Sequence, residues 1–310
     1  MSARDNISRE AQNFLQQNLP CNPHQELTAQ NIDRVRADIR RDCQKQIEWA
    51  ESRIAGDTQL VDVAGVRCLQ INPAGSIEFP DTLLLYFFGG GFITGSVQED
   101  LPISASLASK LGVQVLSPCY SLAPENPYPT AIEQAKQIYH AVIDQNEFKQ
   151  VVVVGESAGG NLALQTVLHA FDYGIRRPEV CVLLSPWVDL THSGDAECSN
   201  DGRDPTLQKA WVDNAARLYG GSGALSEPGL SPLFRDFPAE FPPTLITSGT
   251  RDLLLSQSAR LAQEMRAAGI TAELRVWEDM WHVFEWYPEV PEAQQSLQEI
   301  CAFISKHLLS

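Results

Sequence analysis

The hydrophobic rhythm of the chain changes once, near residue 59. Before that point apolar positions recur at helical steps. Ile32, Val35, Ile39, Cys43 and Ile47 lie three or four residues apart with Arg and Asp between them, and Ile54 follows after a longer step. This predicts helices over 8–19 and 28–54. The basic residues from Arg34 to Arg41 read as the solvated face of the second helix. From Gln59 the period shortens to two, and Val61, Val63, Ala64-Gly65, Val66, Cys68 and Leu69 predict a hairpin. Strands are then expected over 83–87, 113–116, 151–154, 180–184, 244–247 and 272–277. Helices are expected over 101–111, 129–143, 158–170, 256–268 and about 292–308. Strands separated by helical runs of this length are built as βαβ units, so the fold class is α/β with a mostly parallel sheet and the hairpin as an antiparallel edge. Between Ser185 and Pro243 the alternation stops. A polar stretch through Asp204 leads into a helix predicted over 207–218 and a Gly/Pro-rich run. Long excursions in α/β folds lie beyond the carboxyl ends of strands, where ligands bind. The expectation is a catalytic domain over 56–310 covered by a helical cap from 1–55 and a second lid segment at about 188–232.

Composition narrows the partners. With 310 residues and 44% hydrophobic content the chain can bury one large core. A net charge of −16 repels phosphates, which argues against nucleic acid and anionic membrane surfaces and favours a small uncharged partner. The seven cysteines (21, 43, 68, 119, 181, 198 and 301) include no CxxC and no metal-ligand spacing. That pattern fits reduced thiols in a cytoplasm, with no metal site. The polar N-terminal sequence has no secretory h-region, and no stretch is long and apolar enough to span a bilayer.

Candidate chemistry begins at Val151-Val152-Val153-Val154-Gly155-Glu156-Ser157-Ala158-Gly159-Gly160. A buried strand, Gly-x-Ser-x-Gly and a helix in succession hold a serine on a strained turn. Side chains at positions 155 and 159 would collide with the neighbouring strand or helix in so sharp a turn. A serine hydroxyl needs a base, and the base needs a group that fixes its tautomer. Of the six histidines, His24, His140, His169 and His307 read as surface or packing residues. His192 falls in the lid and is a minor candidate. His282 follows the 272–277 strand by a short turn, on the same carboxyl rim as Ser157. Asp252 follows the 244–247 strand on that rim. It could serve as an ordinary helix N-cap, but the chain order Ser157, Asp252, His282 is that of α/β-hydrolase triads. Asp279 and Glu285 would have to fold back to reach His282 and rank below Asp252. Glu156 reads as a polar anchor for neighbouring loops. Attack on a carbonyl also needs oxyanion donors. The Phe88-Gly89-Gly90-Gly91-Phe92 loop and the N–H of Ala158 are the candidates.

Four segments together resemble the hormone-sensitive-lipase-like branch of the α/β-hydrolases, the bacterial small-ester carboxylesterases. Tyr86-Phe87-Phe88-Gly89-Gly90-Gly91-Phe92 resembles its His-Gly-Gly-Gly motif, and Tyr120-Ser121-Leu122-Ala123-Pro124-Glu125 its Tyr-Arg-Leu-Ala-Pro-Glu segment. Gly155 to Gly160 matches the nucleophile motif, and Asp252 with Trp281-His282-Val283-Phe284 matches the acid and base positions. The resemblance implies an eight-stranded α/β-hydrolase core with helices on both faces and a helical cap. It further implies no cofactor, hydrolysis of short- to medium-chain esters, oxyanion donors at Gly90, Gly91 and Ala158, and a possible homodimer. A weaker similarity to ε-lactone hydrolases adds lactones to the candidate substrates. One departure is plain: Phe88 stands where the family has histidine, so the glycine loop must be held by other means. Phe88, Phe92, Trp187, Trp211, Tyr219 and Phe284 are candidate lining for an apolar pocket. The rival readings are an amidase, peptidase or acyl-transferring serine hydrolase, and, more remotely, a non-catalytic binding protein on the same fold.

Overall fold

The computed structural model describes residues 6–19, 27–53, 56–74 and 79–309. Two helices come first, α1 (Arg9–Asn18) and α2 (Ile32–Glu51). The hairpin of β1 (Gly56–Val63) and β2 (Val66–Pro73) follows, then β3 (Thr82–Phe87), α3 (Leu101–Leu111), β4 (Gln114–Pro118) and α4 (Thr130–Gln145). The second half holds β5 (Gln150–Glu156), α5 (Ala158–Asp172), β6 (Val180–Leu184), α6 (Ala196–Ser199) and α7 (Lys209–Gly220). It ends with β7 (Thr244–Gly249), α8 (Leu255–Ala267), β8 (Ala272–Trp277) and α9 (Pro291–Leu308). Ile54, His24 and Cys21 lie outside the described residues.

Among the described residues eight strands form one sheet in the order β1-β2-β4-β3-β5-β6-β7-β8. β1 pairs antiparallel with β2 and β2 with β4, and every later pairing is parallel. The mostly parallel sheet with an antiparallel edge is what the rhythm of the sequence predicts, and its eight strands are what the resemblance implies. β3, β6 and β7 are buried at every position, and β5 at every position after Gln150. A strand buried on both faces needs cover on both, which explains their continuous apolar runs. Helices pack together as α3 with α9 and α4 with α5, flanking the sheet. The hairpin is longer than the alternation suggests, because 56–60 is exposed edge strand whose polar residues carry no periodic signal. Among the described residues no helix is long and apolar enough to cross a membrane.

The basic run of α2 corrects one expectation. Arg34, Arg40 and Arg41 are exposed as expected, but Arg36 is only partly so. Its Nε donates to the Ile93 carbonyl and its Nη2 to the Ala123 carbonyl, each at 2.8 Å, and its two Nη atoms reach the Glu125 carboxylate at 2.8 and 2.9 Å. Arg40 reaches Glu99 at 3.1 Å. The helical period identified a polar face, but not what that face would meet.

Candidate active site

The turn between β5 and α5 places Ser157 at φ 51° and ψ −119°, a backbone region that few L-residues adopt. A Cβ on Gly155 would collide with the Gly159 carbonyl, and one on Gly159 with the Phe87 carbonyl. Glycine at both positions is therefore what lets the turn close. The Ser157 N–H donates to the Leu184 carbonyl at 2.9 Å, which fastens the strained residue to β6.

His282 comes from the loop after β8 and Asp252 from the loop after β7. The Ser157 Oγ stands 3.0 Å from His282 Nε2, and His282 Nδ1 stands 3.0 Å from Asp252 Oδ1. Asp252 is fully buried, and its carboxylate also accepts from the Ser248 hydroxyl at 2.7 Å and the Leu254 N–H at 2.9 Å. Burial alone would raise the Asp252 pKa, but the His282 charge and these hydrogen bonds hold it below the ordinary carboxylate value. Burial would likewise lower that of His282. The Asp252 charge and hydrogen bond, with Asp204 and Glu285 behind them, raise it above the ordinary histidine value instead. A hydroxyl, an imidazole and a buried carboxylate in one hydrogen-bonded row can generate an alkoxide nucleophile and stabilise the imidazolium that results.

The other candidates are engaged elsewhere. Asp279 pairs with Arg251 at 2.7 Å. Glu285 accepts from the Thr247 hydroxyl at 2.7 Å and the Ser296 hydroxyl at 2.9 Å. His192 is buried beside Asp213, and His140 and His169 face each other at 2.8 Å between α4 and α5.

A cavity of about 210 Å³ opens over Ser157 and His282. Gly90 and Gly91 line it directly, whereas Ala158, at the start of α5, is fully buried and does not. Of the six expected lining aromatics, Phe88 and Trp211 border the cavity. Phe92, Trp187, Tyr219 and Phe284 do not, and this corrects the sequence expectation. Phe92 stacks on Tyr219 with ring centroids 3.8 Å apart, and all four are fully buried in the packing beneath the lid and the His282 loop. A large aromatic near a site is equally useful as core, and its sequence position does not tell the two apart. The walls that sequence reasoning missed are Ile39 and Cys43 of α2, Thr206 and Leu207, and Trp286 and Tyr287. One end of the cavity is acidic, with Glu99, Asp100 and Glu156. Burial pushes Asp100 up to about 7 and raises Glu156 well above its ordinary value.

The glycine loop has its own fastening in place of the missing histidine. Phe88 stacks on Tyr120 with ring centroids 4.1 Å apart, and the Tyr120 hydroxyl donates to the Phe88 carbonyl at 2.7 Å. The Gly90 carbonyl accepts from the Ile93 and Thr94 N–H groups at 3.1 and 2.9 Å. The Glu156 carboxyl lies directly against Gly89, where a Cβ would collide with it, so it packs under the loop.

Sheet order, the strained turn that carries Ser157 and the cavity define an α/β-hydrolase-type site, and comparison with known proteins agrees. A family model described as "alpha/beta hydrolase fold" matches residues 84–286. The chain is 31% identical over 246 residues to an esterase of Acinetobacter venetianus, covering 78% of this chain and 80% of that protein. It is 31% identical over 223 residues to an acetyl-hydrolase of Streptomyces hygroscopicus, covering 71% and 74%. A crystal structure of a hormone-sensitive lipase from a metagenome library matches with a TM-score of 0.87 and 32% identity, covering 98% of this chain and 99% of that one. The chain belongs to the α/β-hydrolase family, within its hormone-sensitive-lipase branch, and is a carboxylic ester hydrolase.

Proposed function

We propose that the protein hydrolyses small uncharged esters through an acyl-enzyme formed on Ser157. The hydrogen-bonded row Ser157–His282–Asp252 at the floor of the cavity carries this reading. In the first half-reaction His282 Nε2 takes the Ser157 proton as Oγ attacks the ester carbonyl, and Asp252 holds the imidazolium by its Nδ1–H. The N–H groups of Gly90, Gly91 and Ala158 receive the oxyanion. Each such donor contributes about 3 kcal/mol to the transition state. Collapse expels the alcohol, which takes the proton from His282. In the second half-reaction water, deprotonated by the same base, attacks the acyl carbonyl and releases the acid. Residues 27–53 and about 188–232 act as a cap, since α2 and the Thr206–Trp211 stretch wall the cavity. The small cavity favours short acyl chains, and small lactones fit the same chemistry.

The test is a p-nitrophenyl ester series from acetate to laurate on wild type and Ser157→Ala. Turnover that peaks at short chains and vanishes in a folded Ser157→Ala supports the mechanism. Undiminished turnover in that variant removes Ser157 from the reaction.

A further inference from the structure

The lid segment reaches the reacting residues through one carboxylate. Asp204 is fully buried and uses both of its oxygens. Oδ1 accepts from the Thr206 N–H and hydroxyl, both at 2.9 Å, and from the Leu207 N–H at 3.1 Å. Oδ2 accepts from the Leu253 N–H at 3.1 Å and the His282 N–H at 3.2 Å. Leu253 is the residue after Asp252. Thr206 and Leu207 wall the cavity. A single side chain thus touches the wall a substrate would meet, the loop that carries Asp252 and the backbone of His282.

A second strut lies four residues earlier. Asn200, also buried, donates its side-chain amide to the Thr250 carbonyl at 3.2 Å and the Asp252 carbonyl at 2.9 Å. The Asp204 N–H donates to the Asn200 carbonyl at 3.0 Å, joining the struts. The Asp252 and His282 loops also pair directly, Arg251 N–H to the Met280 carbonyl at 2.9 Å. That bond stops short of Leu253 and His282, where Asp204 takes over.

A buried carboxylate is costly to desolvate, and one that only stapled loops together could be replaced by a neutral acceptor. The charge has a use here. His282 faces Ser157 from the turn after β5, Asp252 from the loop after β7, Asp204 from the lid segment, and Glu285 on its own loop. Glu285 is spent on Thr247 and Ser296, and it raises the His282 pKa less than Asp204 does. Asp204, pushed up to about 6 by burial, is ionised at neutral pH.

We propose that Asp204 is a positioning residue for catalysis: it fixes the Asp252 and His282 loops to the cavity wall, and its negative charge supports the imidazolium formed at His282. The proposal rests on the Ser157–His282–Asp252 reading above.

Its test is steady-state kinetics with p-nitrophenyl butyrate on wild type, Ser157→Ala, Asp204→Asn and Asn200→Ala across the acid limb, with folding checked by circular dichroism. Asn fills the volume of Asp but turns an NH2 group toward N–H donors and removes the charge. The expected result for Asp204→Asn is a kcat loss of about 10- to 100-fold with KM changed less than about threefold. The acid limb of its kcat/KM profile should also move to lower pH, because a lost anion lowers the proton affinity of the imidazole. Asn200→Ala keeps the carboxylate, so its kcat should fall while the limb stays in place. A folded Asp204→Asn with an unmoved acid limb overturns the proposal, since a merely structural role would leave the limb alone. Should Asp204→Asn fail to fold, Asn200→Ala decides, and an unchanged kcat there overturns the clamp. Turnover retained by Ser157→Ala would overturn the triad reading itself, whatever the Asp204 variant does.

Discussion

At the scale of single residues, the proposed reaction depends on how two titrating groups divide one proton. His282 must be neutral to accept from Ser157, and its pKa stands above the ordinary histidine value of 6.5. The acid limb of kcat/KM should therefore lie above pH 6.5, with activity lost as pH falls through it, and a pH–rate profile reads this directly. Sign follows state: the raised His282 contributes stability present below its unfolded pKa and lost as pH rises through the folded one. The depressed Asp252 contributes stability present above its unfolded pKa and lost on acidification. Tyr120 has a comparable local importance. Tyr120→Phe keeps the stack on Phe88 but removes the donor to the Phe88 carbonyl. The expected result is a stability loss of about 1–3 kcal/mol together with a lower kcat, since a buried carbonyl is left unpaired in the glycine loop. Comparison of Tyr120→Phe with Tyr120→Ala on one substrate separates the hydroxyl from the ring.

Elements set which of these residues meet. α2 joins the site because Arg36 ties it to the Ile93 and Ala123 carbonyls and to Glu125. Arg36→Ala should loosen the Ile39–Cys43 wall and raise KM more than it lowers kcat, measurable with one short ester. α1 has a different part. It lines no wall of the cavity and packs instead on α9 and on the ring cluster beside His282, with Phe14 stacked on Trp281 at 4.3 Å. The expectation of one cap over 1–55 thus meets two helices with different contacts, one over the cavity and one behind the base loop. Phe14→Ala should cost about 1–3 kcal/mol of stability in a denaturant melt. The lid segment is pinned to α5, where Asn161 donates to the Trp187 and Leu230 carbonyls at 3.0 and 2.9 Å.

On the scale of the whole molecule, the sheet brings carboxyls from distant segments into one buried acidic end of the cavity. Asp100 accepts from the Tyr86 hydroxyl at 2.6 Å, and burial raises it from 3.8 to about 7. A carboxyl protonated more readily when folded destabilises the fold progressively as pH rises from its unfolded to its folded pKa. Asp100→Asn cannot titrate, so its stability relative to wild type should increase between pH 4 and 7 and level off above, as parallel denaturant melts would reveal. The sequence alone determined the α/β architecture, the order of its strands and helices and the Ser157, Asp252 and His282 candidates. Each of these is written in local terms, as hydrophobic period, turn chemistry and residues at strand ends. It did not distinguish Phe92 and Tyr219 as core from Trp211 as wall, or Arg36 as anchor from Arg34 as surface, because both members of each pair carry the same local signal. In the sequence Asp204 only closes a polar stretch. Only the tertiary structure decided two of its five hydrogen bonds, since those partners stand 49 and 78 residues away in the chain and become neighbours when the strands pair.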